Sequence, residues 1–289
     1  MILSIGEILA DVIVDNTGKQ KYCGGAPFNL IVNAKRSGAT AGFIGRVGND
    51  ETGKFLLEET SKYNLDYLDI QTDNNRETTL ALVTLTDGER DFKFVRNDTA
   101  DYNIDFDSID FSKYQNLKII HLGSLMLSEK SGVELANKII DKAKSLGVKL
   151  SFDVNFRTDI FKDEKSAIET YLPFIKKADI VKFSDDELLL FTGETDVEKG
   201  CKKIARSGQL IVVTLGKKGS YYYIDGASGS VPTEPVTPID TTGAGDAFYG
   251  TFLAQIENVE YTDSNLKSAM KLANENGAKT TLFKGAIKL

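Results

Sequence analysis

Short apolar runs that end in small or polar residues alternate with longer amphipathic stretches along most of this chain. A brief run apolar on both faces reads as a strand of a parallel sheet, and apolar positions recurring every three or four residues mark one face of a helix. Strands are therefore expected at Ile2–Ile5, Ala41–Ile44, Ile119–Leu122, Leu150–Val154, Ile180–Phe183 and Ile211–Leu215. Helices are expected at Asn29–Ser37, Thr52–Tyr63, Gly132–Leu146, Glu164–Ala178, Asp186–Thr192, Asp196–Ser207, Ala244–Ile256 and Asn265–Leu282. Such alternation predicts an α/β fold with a mostly parallel sheet and crossover helices.

Two segments break the rhythm. Arg76–Thr86 and Arg90–Arg96 are β-prone runs around Asp87-Gly88, a strong hairpin signal, and Leu9–Val14 leads through Asn16-Thr17-Gly18 to Lys21–Cys23. Together they predict a small sheet off the main layer, placed either to cover a cleft or to extend an edge.

Composition narrows the function classes. With 289 residues, 41% of them hydrophobic, the chain can bury a full core, as one large domain or two smaller ones. Its 42 acidic residues outnumber 35 basic ones, giving a net charge of -7 that disfavours nonspecific binding to nucleic acid or anionic membrane. Two distant cysteines, Cys23 and Cys201, and the single His121 make neither a disulfide framework nor a zinc site. The start Met1-Ile2-Leu3-Ser4-Ile5-Gly6-Glu7 lacks a basic leader, and no apolar run approaches the roughly 20 residues that span a bilayer. A cytoplasmic protein is expected.

Candidate chemistry centres on Asp240-Thr241-Thr242-Gly243-Ala244-Gly245-Asp246-Ala247-Phe248. Three small residues before a helix leave its first amides unhindered, and that end carries partial positive charge suited to a phosphate or developing oxyanion. Asp246, in the first turn, would be repelled by a bound anion unless it has a task, and the obvious one is accepting a proton. Near the other end, Cys23-Gly24-Gly25-Ala26-Pro27-Phe28-Asn29 sets paired glycines before a helix, with Asn29 either a ligand contact or an N-cap. A dinucleotide-binding oxidoreductase fits poorly: the Gly-x-Gly lies near the C-terminus, and Ala247, Phe248 and Tyr249 stand where a third glycine belongs.

Gly24 to Gly53 and Asp240 to Phe248 together, in this order and separation, resemble the two signatures of the ribokinase-like, or PfkB, carbohydrate kinases. The resemblance spans essentially the whole chain. It implies a three-layer α/β/α ribokinase-like fold with a mostly parallel central sheet and a small β-sheet lid, residues 1–289 forming one kinase domain whose lid segments are about 9–23 and 76–102. It implies that Asp246 is the catalytic base, with Gly243, Ala244 and Gly245 an anion hole for phosphoryl transfer. Asp11, Gly25 and Asn29 match the sugar-binding set, and Asp153-Val154-Asn155-Phe156-Arg157 resembles a segment near the phosphates, with Asn155 and Arg157 as further substrate contacts. Thr214, Gly216 and Gly219 of the segment Val213 to Gly219 match nucleotide contacts, and Asn274 and Gly277 fall at the adenine pocket.

In Ser184-Asp185-Asp186-Glu187 a serine replaces the family's usual asparagine, while Glu187 matches the glutamate that organises magnesium through water. The residues Asp240, Thr242, Thr280, Phe283 and Gly285 match a site for a monovalent cation such as potassium. Gly-Gly-Ala-Pro-Phe-Asn and the stretch Gly88 to Asp101 are most similar to fructokinases, so ATP with Mg2+ and D-fructose are the expected substrates. Phe92 and Phe94 alternate onto one face, either to close over the sugar or to pack the small sheet, and Arg96 would reach a hydroxyl or the ring oxygen. A 2-keto-3-deoxygluconate kinase and a non-catalytic sugar-binding regulator are the alternatives. A cover with an exposed strand edge also makes a homodimer through the lid an expectation.

Overall fold

The computed structural model describes residues 1–15, 18–86, 89–157 and 160–288, with backbone alone at 14–15, 18–19, 83–86 and 89–92. The turns expected at Asn16-Thr17 and Asp87-Gly88 and the side chain of Phe92 lie outside the described residues. Among those described, thirteen strands and eight α-helices follow one another as β1 (Ile2–Ile5), β2 (Leu9–Asp15), β3 (Gly18–Gly24), α1 (Ala26–Arg36), β4 (Ala41–Gly48), α2 (Glu51–Ser61), β5 (Tyr67–Asp73), β6 (Leu80–Thr86), β7 (Glu89–Val95), β8 (Ile119–Leu122), α3 (Lys130–Leu146), β9 (Lys149–Asp153), α4 (Glu164–Lys177), β10 (Ile180–Ser184), α5 (Asp185–Thr192), α6 (Val197–Ile204), β11 (Leu210–Thr214), β12 (Ser220–Ile224), β13 (Ala227–Val231), α7 (Ala244–Ile256) and α8 (Asp263–Thr280).

Nine strands form one sheet in the order β13-β12-β11-β10-β9-β8-β1-β4-β5, parallel from β5 to β11 and antiparallel across β11, β12 and β13. Successive strand residues face opposite sides. Ile2, Ile119, Ile180, Leu210 and Val212 pack with α1, α2, α7 and α8, while Leu3, Ile120, Val181, Ile211 and Val213 pack with α3, α4, α5 and α6. The result is the three-layer α/β/α architecture. Strand order reverses between β1 and β8, and in open α/β sheets ligands bind beyond the carboxyl ends of the strands at such a switch point.

The small sheet runs β3-β2-β6-β7. Each pair expected from the sequence is an antiparallel hairpin, and β2 joins β6 in parallel, from Ala10 opposite Leu80 to Val14 opposite Thr84. Leu9, Ala81 and Leu125 form its own apolar cluster, with Phe94 against it.

Three strands were not expected. Edge strand β5 is only half-buried and carries Asp69, Gln71 and Asp73, so its apolar signal is weak. The β12–β13 hairpin turns on Asp225 and Gly226, both at positive φ, but β13 reads Ala-Ser-Gly-Ser-Val and resembles loop. Helix α1 also begins three residues earlier than expected. Gly25 adopts φ 112 at its start, where a Cβ would lie 2.5 Å from the Glu7 carbonyl oxygen, and Pro27 occupies the first turn. No helix among the described residues is long and apolar enough to cross a membrane.

Candidate active site

Asn29 therefore lies inside α1, its amide bonded to the Gly25 carbonyl at 2.9 Å, and is not an N-cap. Its side chain is free to reach another helix. The Asn29 Nδ2 donates to Asp246 Oδ2 at 2.8 Å across 217 sequence positions, while Asn29 Oδ1 has no partner among the described residues.

That bond depends on α1 and α7 touching through their backbones. A Cβ on Gly250 would stand 2.1 Å from the Leu30 carbonyl oxygen, so a side chain there would force the helices apart. Two turns earlier, Gly243 starts α7 at φ 75, and a Cβ would meet Ala286 at 2.6 Å. Side-chain oxygens of Asp240 fix the approach, accepting from Thr242 N at 3.0 Å, Thr242 Oγ1 at 2.7 Å and Gly285 N at 2.9 Å. On the sheet side, the Tyr249 hydroxyl meets Ser151 Oγ at 2.8 Å, anchoring α7 over β9.

A cleft of about 810 Å³ opens between this helix start and the small sheet. Its wall includes Asp11, Gly25, Asn29, Phe94, Asn155, Arg157, Asp240, Thr242, Gly243, Gly245 and Asp246, so the expected sugar-side and anion-hole positions converge on one space. Asn155 holds φ 35, a left-handed conformation that asparagine tolerates better than most residues.

Desolvation pushes the Asp246 carboxyl above its usual range, against pulls from the Asn29 hydrogen bond and the charges of Lys182 and Arg157. Burial and the Asp246 charge push Asp11 up to about 7 despite Arg157.

Three charged wall residues had no role of their own expected from the sequence. Lys182 and Asp153 form a buried ion pair, Nζ lying 2.8 and 3.0 Å from the two carboxylate oxygens. Burial alone would lower the Lys182 ammonium, but the charges of Asp153, Glu187 and Asp246 and the Asp153 hydrogen bonds leave it raised. The third is Glu7, 1% exposed, which burial pushes up to about 7. Each sits in or beside an apolar strand run, where one charge looks like a pattern error; a charge in such a run was the available signal.

The pfkB family carbohydrate kinase model matches residues 1–289. The chain belongs to this family. It is 36% identical to a probable fructokinase-2 of Arabidopsis thaliana, an alignment covering 99% of this chain and 92% of the relative. An uncharacterized sugar kinase from Pyrococcus horikoshii, solved in complex with ATP, superposes with a TM-score of 0.86 at 34% identity, covering 99% of this chain and 94% of that one. A double mutant of the Vibrio cholerae fructokinase, solved with fructose, ADP and a potassium ion, gives 0.89 at 32% identity, with 99% and 93% covered.

The remaining positions expected for a pfkB kinase stand outside the cleft wall. Arg96 is turned away: its guanidinium pairs with buried Asp101 at 2.9 and 3.0 Å, bonds Ser128 and lies 4.4 Å over the Tyr102 ring. A buried carboxylate requires such a partner. Ser184 and Glu187 form a capping box at the start of α5, and Glu187 also accepts Phe156 N at 2.7 Å. Ser184 lies opposite Thr214 in the β10–β11 register. Beyond β11, Gly216 and Gly219 turn the chain, a Cβ on Gly219 would meet the Val231 carbonyl at 2.1 Å, and Asn274 Nδ2 donates to that same carbonyl at 3.0 Å. Gly277 packs under Ala244, which begins α7.

Of the positions matched to a cation, Asp240, Thr242 and Gly285 share the hydrogen bonds above, Thr280 Oγ1 donates to Asn276 O at 3.0 Å, and Phe283 is half-buried. Among the described residues no group of three or more His, Cys, Asp or Glu side chains is placed to hold a metal.

Proposed function

We propose that the protein is an ATP-dependent fructokinase that transfers the γ-phosphoryl group of ATP to the 6-hydroxyl of D-fructose, giving fructose 6-phosphate and ADP. The observation that carries this reading is Asp246, hydrogen-bonded to Asn29 in the first turn of a helix whose start faces the same cleft. Asp11, Gly25, Asn29, Asn155 and Arg157 hold the sugar, and Phe94 covers it. Asp246 takes the proton as the hydroxyl oxygen bonds to phosphorus and the bond to the ADP oxygen breaks. Amides at Gly243, Ala244 and Gly245 stabilise charge on the group in transfer. Residues 1–289 act as one kinase domain, with 9–23 and 76–102 as the cover that excludes water.

The nucleotide lies over Ser184, Thr214, Gly216, Gly219, Asn274 and Gly277. Magnesium enters on the ATP phosphates, where it neutralises charge and keeps several waters. Each Glu187 oxygen accepts one backbone N–H and retains a lone pair for a metal-bound water. A monovalent ion, potassium by preference, would sit among backbone oxygens near Asp240, Thr242, Thr280, Phe283 and Gly285; activity unchanged when potassium is replaced by a large organic cation would remove it. The cytoplasm, which supplies ATP and keeps the two buried thiols reduced, suits this reading. A homodimer through the small sheet would appear as a doubled mass in light scattering.

A sugar panel with saturating ATP tests the assignment. The highest kcat/KM is expected with D-fructose. A much higher value with 2-keto-3-deoxygluconate would overturn it, and absence of sugar-dependent ADP release would leave a sugar-binding protein.

A further inference from the structure

Glu7 lines the cleft, yet phosphoryl transfer as outlined gives it no task. It lies two residues beyond β1, beside the reversal of strand order, and it is 1% exposed. One hydrogen bond comes from its own backbone N–H, and Oε2 has no hydrogen-bond partner among the described residues. A buried carboxyl oxygen left unpaired costs stability, so such groups occur where something else completes them. Its nearest cation is committed elsewhere, since Arg96 is held by Asp101 and Ser128. On one side the backbone closes over Oε2, since a Cβ on Gly123 would come within 2.4 Å of it. The Glu7 carbonyl meanwhile packs on Gly25, a position already placed on the sugar side.

We propose that Glu7 determines acceptor specificity, its free carboxyl oxygen hydrogen-bonding one hydroxyl of the sugar or polyol that occupies the cleft. The inference rests on the sugar-kinase reading but not on which sugar is preferred. A site built to pair a particular hydroxyl rejects analogues lacking it, because the buried partner is then left unsatisfied. The competing explanation is a structural water completing Oε2.

The test compares wild type with Glu7→Leu and Glu7→Gln on the preferred sugar and its monodeoxy analogues. Glu7→Leu should raise the sugar KM at least tenfold while the ATP KM changes less than twofold, with Glu7→Gln in between. For one monodeoxy analogue, wild type and Glu7→Leu should become equal within twofold. A sugar KM within twofold of wild type in both variants, or the same loss on every analogue, overturns the proposal. Should Glu7→Leu fail to fold, Glu7→Gln is judged on the analogue series alone. If fructose is not the preferred sugar, the assignment of the preceding section falls and the Glu7 test runs on whichever sugar is turned over. If the wild type turns none over, calorimetric titration replaces kinetics, and no sugar binding overturns both.

Discussion

Replacing Asn29 by leucine removes the side-chain donor that, among the described residues, holds Asp246 at 2.8 Å, and it keeps nearly the same volume. A hydrogen bond to an ionised group contributes about 1.5–3 kcal/mol, and one pKa unit corresponds to about 1.4 kcal/mol. Losing it should therefore raise the Asp246 pKa by about one to two units beyond the upward shift that desolvation already imposes. Since the ionised form is the base, activity at a fixed pH below the new pKa falls, and the acidic limb of the kcat/KM profile moves to higher pH by that amount. Asn29 is also assigned to the sugar, and losing that contact lowers kcat/KM equally at every pH, so the two effects separate. Asp11, Arg157 and Lys182 face the same cleft and are unchanged, so any limb belonging to Asp11 stays in place. The assay is steady-state kinetics between pH 5 and 9, with sugar varied and ATP saturating. An acidic limb unmoved in Asn29→Leu would refute the argument that this hydrogen bond tunes the base.

Three further outcomes follow from the same geometry. Asp246→Asn should lose about 10²–10⁴-fold in kcat while sugar and ATP titrations by calorimetry stay close to wild type; near-normal turnover would show that another group takes the proton. Asp11, raised to about 7, contributes stability that is complete below its unfolded pKa near 4 and is lost as pH rises through 7, on the order of 2–4 kcal/mol. Asp11→Asn should thus melt above wild type at pH 8 and match it at pH 4, and parallel Tm curves would contradict this. Gly250→Ala drives a methyl group to 2.1 Å from the Leu30 carbonyl oxygen, so it should cost about 1–3 kcal/mol in urea denaturation and lower kcat; a variant equal to wild type in both would show that α1 and α7 need not touch.

The layered fold was legible because buried parallel strands are nearly all apolar, as Ile211-Val212-Val213 shows, and because the helices between them keep a regular apolar face. Strand β13 was not legible, since Ala-Ser-Gly-Ser-Val draws its strand character from pairing with β12. The parallel joining of β2 to β6 was equally hidden, because each hairpin signal is local and their union is not. At the site, Asp246 and Asn29 stood out through neighbouring glycines, which report backbone demands directly. Glu7 and Lys182 are marked only as charges in or beside apolar runs, and the folded chain brings them to the cleft wall. Arg96 fails for the converse reason: nothing near it in sequence reveals that buried Asp101 claims its charge.

The separation of 217 positions between Asn29 and Asp246 has a consequence for how the protein is made. During synthesis, every strand leaves the ribosome before α7 does, so the cleft lacks Asp246 until the final sixth or so of the chain emerges. Contacts of such separation also slow folding. Substrate therefore cannot guide the early steps, and a chain cut short before α7 is a sheet with no transfer centre. The Asn29–Asp246 bond can therefore form only once both ends of the polypeptide have met.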